Sequence, residues 1–254
     1  EISACLVGSE MCIRDRSYMS NASQRVSEYI IGKLETEEWK PGMRIDTEES
    51  MCKNLHVSRV AVRQGVEKLS SLGVLRKIQG SGTYVNKMED SSLEGLMYYP
   101  PNYKTLRMVL EFRRMFDSCN VELFIEHARK VDISILKQNY IEMAGNADDR
   151  EYFELMDNNF HEMIAKGTKN ILIQQISDTL TSLLLRHQSL QYDLVGPDNA
   201  IKWHGRIVEA IENRDKELAR RYTRVHIDAA LEKLDEVEAQ LAAEEESAKK
   251  EQAK

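Results

Sequence analysis

Cysteine is scarce in this chain: four in 254 residues, with no spacing that suggests a disulfide framework. Cys52 and Cys119 fall in separate helical segments, and Cys5 and Cys12 in the first eighteen residues, so a reducing compartment, the cytoplasm, is expected. There is no apolar run of membrane-spanning length, which argues against a membrane partner. Proline is rare, at four residues, and aromatic residues make up only 7%. Neither a glycine loop for phosphates nor a nucleophile–base pair with recognisable spacing is present, which removes the usual signs of a transferase or hydrolase. What is abundant is charge, 30% of residues, with a net −7 at pH 7.

That net charge is unevenly spread. From Glu232 onward eight acidic residues face four basic ones, whereas between Arg44 and Lys87 eight basic residues face four acidic ones. The acidic total therefore does not exclude nucleic acid, because a local basic surface decides that question. Residues 1 to about 18 resemble neither a signal peptide nor a folded element. They read as a cloning or sequencing artefact ahead of Met19, or with Ser20-Asn21-Ala22 as a tag remnant.

Within the basic segment, Val57 to Leu69 is the most informative stretch. At 100° per residue, Ala61, Val62, Gly65, Val66, Leu69 and Leu72 share one face, and Arg59, Val60, Arg63, Gln64, Glu67 and Lys68 the other. Ser58 suits an N-cap and Gly73 a left-handed helix end. Two arginines one turn apart suit the DNA major groove, where Arg pairs with guanine and Gln with adenine; Val60 could touch a thymine methyl. Upstream, Asp46 is expected to cap a helix over 47–54, with Glu49 completing a capping box. Downstream, residues 74–79 and 83–85 read as strands joined at Gly80-Ser81-Gly82, and residues 24–38 as an amphipathic helix with Val26, Tyr29, Ile30 and Leu34 inward. Three helices and a two-stranded wing make a winged helix-turn-helix.

From Tyr103 onward no strand-like alternation appears. Helices are expected over about 104–127, 132–145, 149–166, 170–190, 198–213 and 215–243, with a short extra turn near 91–97, a bundle of six or seven. The fold class is therefore mainly α: an N-terminal winged helix-turn-helix joined to an all-helical bundle. The expected division is a leader at 1–22, a DNA-binding domain at 23–87, a linker at 88–103, a helical domain at 104–243 and a charged tail at 244–254.

Four polar residues stand on apolar faces of the bundle. Asp157 and His161 lie one turn apart among Phe153, Met156, Phe160 and Ile164; His204 lies among Ile201, Val208 and Ile211; His226 among Ala219, Tyr222, Ala229 and Ala230. Buried together without partners they are costly, and a divalent metal satisfies all four at once. Arg113 likewise points inward among Leu106, Val109, Phe116 and Phe124, with Asp117 as an internal ion-pair partner or a ligand carboxylate as a functional one. His127 and His187 read as surface or helix-end residues.

Residues 24–86 resemble the DNA-binding domain of GntR-type bacterial transcription regulators, through Pro41-Gly42, Val57-Ser58-Arg59, Val62-Arg63 and Gly80-Ser81-Gly82-Thr83. Asp157 to His161, the stretch His204 to Ile211 with Asp215, and His226 resemble the FCD domain of the FadR-type branch of that family, over roughly 104–238. The resemblance implies DNA contacts from Arg59 and Arg63, with Arg44, Ser58, Val60, Gln64 and the wing tip Gly80, Ser81, Gly82 and Thr83 beside them. It also implies a metal held by Asp157, His161, His204 and His226 (zinc first, nickel or manganese otherwise), and an organic acid on Arg113, with Asn170 in the cavity. The function so implied is a homodimeric regulator, a repressor released from a palindromic operator by a small carboxylate. Glu49 departs from the pattern, standing where many relatives carry a basic residue. A metal-dependent enzyme or a metal sensor carrying a DNA-binding module is the competing reading.

Overall fold

The structure is a computed structural model that describes residues 22–252, and it divides at Pro100 and Pro101 into two compact units. Residues 1–21 of the suspected leader, with its two cysteines, lie outside the described residues, and Ala22 begins the first helix. The first unit holds α1 (22–35), α2 (Glu48–Leu55), α3 (Arg59–Ser71), β1 (Leu75–Ile78) and β2 (Gly82–Val85). The strands pair antiparallel, Leu75 opposite Val85 and Ile78 opposite Gly82. The chain before α2 runs along β2, where the Val85 amide donates to the Met43 carbonyl at 2.8 Å and the Ile45 amide to that of Thr83 at 3.0 Å. Val26, Ile30, Met51, Val62, Val66 and Leu69 close the core between the helices, and Leu75 and Val85 seat the wing on it.

The faces of α3 follow the sequence periodicity: Ala61, Val62, Gly65, Val66 and Leu69 are buried. Ser58 caps it, its hydroxyl accepting from the Ala61 amide at 3.2 Å. Gly73, at φ +73°, ends it, with the Val74 amide reaching back to the Leu69 carbonyl at 3.0 Å. The start of α2 corrects the expectation. Thr47, not Asp46, is the N-cap, accepting from the Ser50 amide at 3.2 Å. Asp46 is turned away to accept the Tyr29 hydroxyl at 2.8 Å, and Glu49 pairs with Lys53 at 2.8 Å in place of a capping box.

Residues 88–98, expected as linker, form two short 3-10 turns (Met88–Asp90 and Glu94–Tyr98) in this first unit. Tyr99 is buried behind them, its hydroxyl bonded to Ser91 at 2.9 Å and to the Asn86 carbonyl at 3.2 Å.

The second unit is helical throughout its described residues: α4 (Tyr103–His127), α5 (Lys130–Gly145), α6 (Arg150–Gly167), α7 (Ile171–Val195), α8 (Pro197–Glu212) and α9 (Lys216–Gln252). α4 packs along α9 and also touches α6 and α7, while α8 bridges α9 and α5. Phe124, Leu136, Phe160 and Ile207 form the centre of one apolar cluster at the α4–α5–α6–α8 junction. α7 runs beyond the expected end at 190 to Val195, where Gly196 (φ +69°) and Pro197 stop it, and α9 runs beyond 243.

Gly65 is where α3 and α1 cross most closely: a Cβ there would stand 2.8 Å from the Ser23 carbonyl oxygen and from Val26 Cβ. Gly32, on α1, has open space within 4 Å. Gly65→Leu should therefore lower stability by about 1–3 kcal/mol through overpacking, whereas Gly32→Ala should raise it by about 0.5–1 kcal/mol. Calorimetric unfolding of the two variants checks both signs.

Candidate metal centre and DNA-facing surface

Four donors converge inside the second unit because three helices each turn an apolar face inward with a polar residue set in it. α6 contributes Asp157 and His161 one turn apart, α8 His204 and α9 His226. One donor atom from each lies within 4.8 Å of every other. His204 is fully buried, its ring stacked on Phe160 at 4.0 Å and 9°. The His204 and His226 ring centres are 4.7 Å apart, and those of His161 and His204 5.0 Å. His204 Nε2 stands 3.6 Å from Asp157 Oδ1, beyond hydrogen-bond reach.

The electrostatics follow from burial. Desolvation holds the His161 and His204 rings far below the ordinary imidazole range, and neighbouring positive charge adds to this. His226 is pushed down to about 3 by the same burial and by Arg113. The three rings are therefore neutral at pH 7, the form in which a ring nitrogen offers a lone pair. Burial pushes the Asp157 carboxyl up to about 6, against the pull of Arg113. Both ring nitrogens of His204, Nε2 of His161 and Nδ1 of His226 are buried without a hydrogen-bond partner. Orphaned polar atoms of this kind are rare and need a reason. Lone pairs from three imidazoles and a carboxylate suit a divalent first-row cation, and the residues present pass that test.

Arg113 lies beside this cluster, 5% exposed, with Nε donating to Asp117 Oδ2 at 2.9 Å. The same carboxylate oxygen is 3.5 Å from His161 Nδ1, so Asp117 stands between the arginine and a donor ring. Desolvation raises the Asp117 pKa, with Arg113 opposing it. A narrow cleft with about 40 Å³ of space open to water is lined by Arg113, Asp157, His226, Tyr192, Asn199 and Leu184 among others.

Asn170 is not in that cleft. It is an exposed N-cap of α7, accepting from the Leu172 amide at 3.0 Å, which corrects the expectation of a ligand contact. His187 is likewise corrected: it is buried on α7, with Nδ1 2.8 Å from the Leu183 carbonyl. Tyr192 and Asn199 line the cleft and escaped the sequence reading. For Tyr192 the missing signal was Gly196-Pro197, which places the end of α7 one turn further on.

On the first unit, Arg59, Val60, Arg63 and Gln64 are exposed together on the front of α3, Val60 at 52%. The Ser58 hydroxyl is already engaged in the cap. Gly80 to Thr83 form the wing tip, where the Ser81 and Tyr84 hydroxyls meet at 2.6 Å. Arg44 lies across Gly82, whose φ of +132° favours glycine; a Cβ there would stand 2.6 Å from Arg44 Nε, so the arginine would have to move aside. Arg63 Nε donates to both Glu48 oxygens, at 3.2 and 3.0 Å.

A winged helix-turn-helix followed by a helical bundle is the architecture of a DNA-binding regulator. Residues 22–85 match the family model for bacterial regulatory proteins of the gntR family, and residues 108–229 match that for the FCD domain. The chain belongs to the GntR family of transcriptional regulators and carries an FCD domain. It is 24% identical to the Glc operon transcriptional activator of Escherichia coli (strain K12), over 78% of this chain and 83% of that one. To the galactonate operon transcriptional repressor of the same organism it is 20% identical, over 78% and 90%. The solved structure of Lar, which controls the expression of the Listeria monocytogenes agr system, shares the fold with a TM-score of 0.64 and 16% identity, over 84% of this chain and 96% of that one. These relatives are regulators, which answers the enzyme alternative. Among the described residues no helix is long and apolar enough to cross a membrane.

The Arg113–Asp117 pair is enclosed, with side chains 6% and 12% exposed, so breaking it leaves a buried cation. Asp117→Asn should cost about 3–5 kcal/mol in chemical denaturation. A loss under about 1 kcal/mol would mean that solvent screens the pair as at a surface.

Proposed function

We propose that this regulator binds a palindromic operator as a homodimer and represses until a small organic acid binds beside a divalent metal in the helical unit. The observation that carries the reading is the set of buried, unpartnered ring nitrogens of His161, His204 and His226 around Asp157, next to Arg113. These four residues would hold the cation, zinc first among the first-row ions. Bound there, it supplies positive charge that an anionic ligand can meet. Arg113 receives the ligand carboxylate: only its Nε is taken by Asp117, and its terminal amino groups remain for a second, charge-assisted pairing. A cleft with an arginine in its wall favours an organic acid over a sensor whose effector is the metal alone. The galactonate operon repressor, whose operon is that of an acid, supports both the ligand class and the sign, while the Glc operon activator shows that relatives also work in the opposite sense.

On the DNA side, α3 would lie in the major groove with Arg59, Val60, Arg63 and Gln64 towards base edges, and the wing tip with Arg44 towards the backbone or minor groove. A two-fold operator calls for a two-fold protein, and the row Met108, Phe112 and Met115 left exposed on α4 offers apolar surface for a second copy. The acid alters DNA binding only as far as it prefers one arrangement of the dimer over the other.

Metal content by plasma mass spectrometry should give about one ion per chain, the stoichiometry of a single closed site, and His204→Ala should lose it. No ion in either protein, even after reconstitution, would leave a polar core cluster and make Arg113 the sole anchor.

A thermal-shift screen of small carboxylates on the metal-loaded protein should return a stabilising acid, worth about 2.7 kcal/mol at a hundredfold excess over its Kd. That acid should release the operator duplex, and Arg113→Ala should abolish both effects. An acid that tightens the operator complex would reverse the sign to activation or co-repression.

A further inference from the structure

We propose that Glu48 is a positioning residue that presets Arg63 of α3 for reading a base. This rests on the DNA-binding reading above.

The two arginines lie one turn apart on the same exposed front, yet their surroundings differ. Arg63 Nε donates to both carboxylate oxygens of Glu48, at 3.2 and 3.0 Å. Arg59 has no such partner among the described residues. Glu48 is itself well fixed. It is the first residue of α2, directly after the Thr47 cap, and Met51 one turn on is buried in the core that also holds Val62 and Val66 of α3. An arginine side chain loses much rotamer freedom when it docks, and a carboxylate that already holds Nε removes part of that loss. Because the carboxylate occupies Nε, the two terminal amino groups stay available. Two such donors are what the O6 and N7 acceptors of guanine require.

Stability does not explain the pair. Arg63 is 69% exposed and Glu48 46%, and solvent-exposed ion pairs contribute little. A carboxylate on a DNA-facing surface also repels phosphate, which lowers affinity for every sequence alike. Glu48 should therefore weaken general binding while sharpening binding at the base that Arg63 reads. Glu49 provides the internal control. It sits on the same first turn, carries the same charge, and is paired with Lys53, not with Arg63.

The test uses the full chain. The wild type first selects its preferred duplex from a random library, and affinities of the variants are then measured for that duplex and for a scrambled one at fixed salt. Glu48→Gln should lower the selected-to-scrambled ratio about tenfold, while binding to the scrambled duplex holds or strengthens. Glu49→Gln should strengthen both duplexes equally and leave the ratio alone. In an Arg63→Ala background, Glu48→Gln should no longer change the ratio. An unchanged thermal midpoint in the Glu48→Gln protein would exclude loss of fold as the cause.

The proposal is overturned if Glu48→Gln shifts both duplexes by one factor, as Glu49→Gln does. It is also overturned if the loss of ratio persists without Arg63, since Glu48 would then read a base itself. A wild type that selects no preferred duplex would overturn the DNA-binding reading, and this inference with it.

Discussion

Burying three neutral imidazoles and a carboxylate among Phe124, Phe160, Ile164 and Ile207 is the constraint around which the second unit is arranged. Asp157 and His161 arrive on one face of α6, His204 on α8 and His226 on α9, so the cluster exists only when the three helices are packed together. Desolvation keeps the rings uncharged, which avoids the cost of burying cations but leaves several nitrogens without partners. The same burial governs Arg113 and Asp117 on α4, where a buried cation is tolerated because a carboxylate stands one turn away. The cleft opens beside these charges, with Arg113 in its wall.

The first unit solves a different problem. Its apolar core is small, and α3 must stay close to α1 while presenting a front that is polar but for Val60. Gly65 permits the close crossing, and Gly82 lets Arg44 lie flat on the wing. Its acidic front residues are matched with basic ones, Glu48 with Arg63 and Glu67 with Lys77, so that the basic character of the segment is focused rather than uniform.

Periodicity made much of this legible. The two faces of α3, its cap at Ser58 and its end at Gly73 follow from spacing and residue type, because a short amphipathic helix on a small core leaves few alternatives. The convergence of Asp157, His161, His204 and His226 could be read for a related reason: each interrupts an otherwise apolar stripe. Where the reading failed, a tertiary contact had outbid a local rule. Asp46 is a better cap than threonine in isolation, but the Tyr29 hydroxyl holds its carboxylate, so the cap moves to Thr47. Asn170 is polar near a helix start and became the cap itself, while His187 lies on a stripe whose burial depends on how α7 is flanked. The stretch 88–98 looks like linker by composition apart from one short turn; the bonds of Ser91 and Ser92 to the Gly73 and Leu72 carbonyls and the burial of Tyr99 fix it to the first unit.

The choice between a metal centre and a polar core turns on proton bookkeeping. A neutral imidazole carries one N–H and one lone pair, and a stable polar cluster must place both. His161 can direct an Nδ1 proton toward Asp117, leaving Nε2 as a lone pair aimed into the cluster. His204 has no comparable outlet: stacking on Phe160 fixes its ring, both nitrogens are orphaned, and the nearest carboxylate oxygen is 3.6 Å away. A core selected only for stability would replace such a ring with an apolar side chain of similar size, as Ile207 and Val208 already do around it. A fixed imidazole with an uncommitted lone pair, within 4.8 Å of three other donors, is instead the arrangement that a bound cation makes favourable.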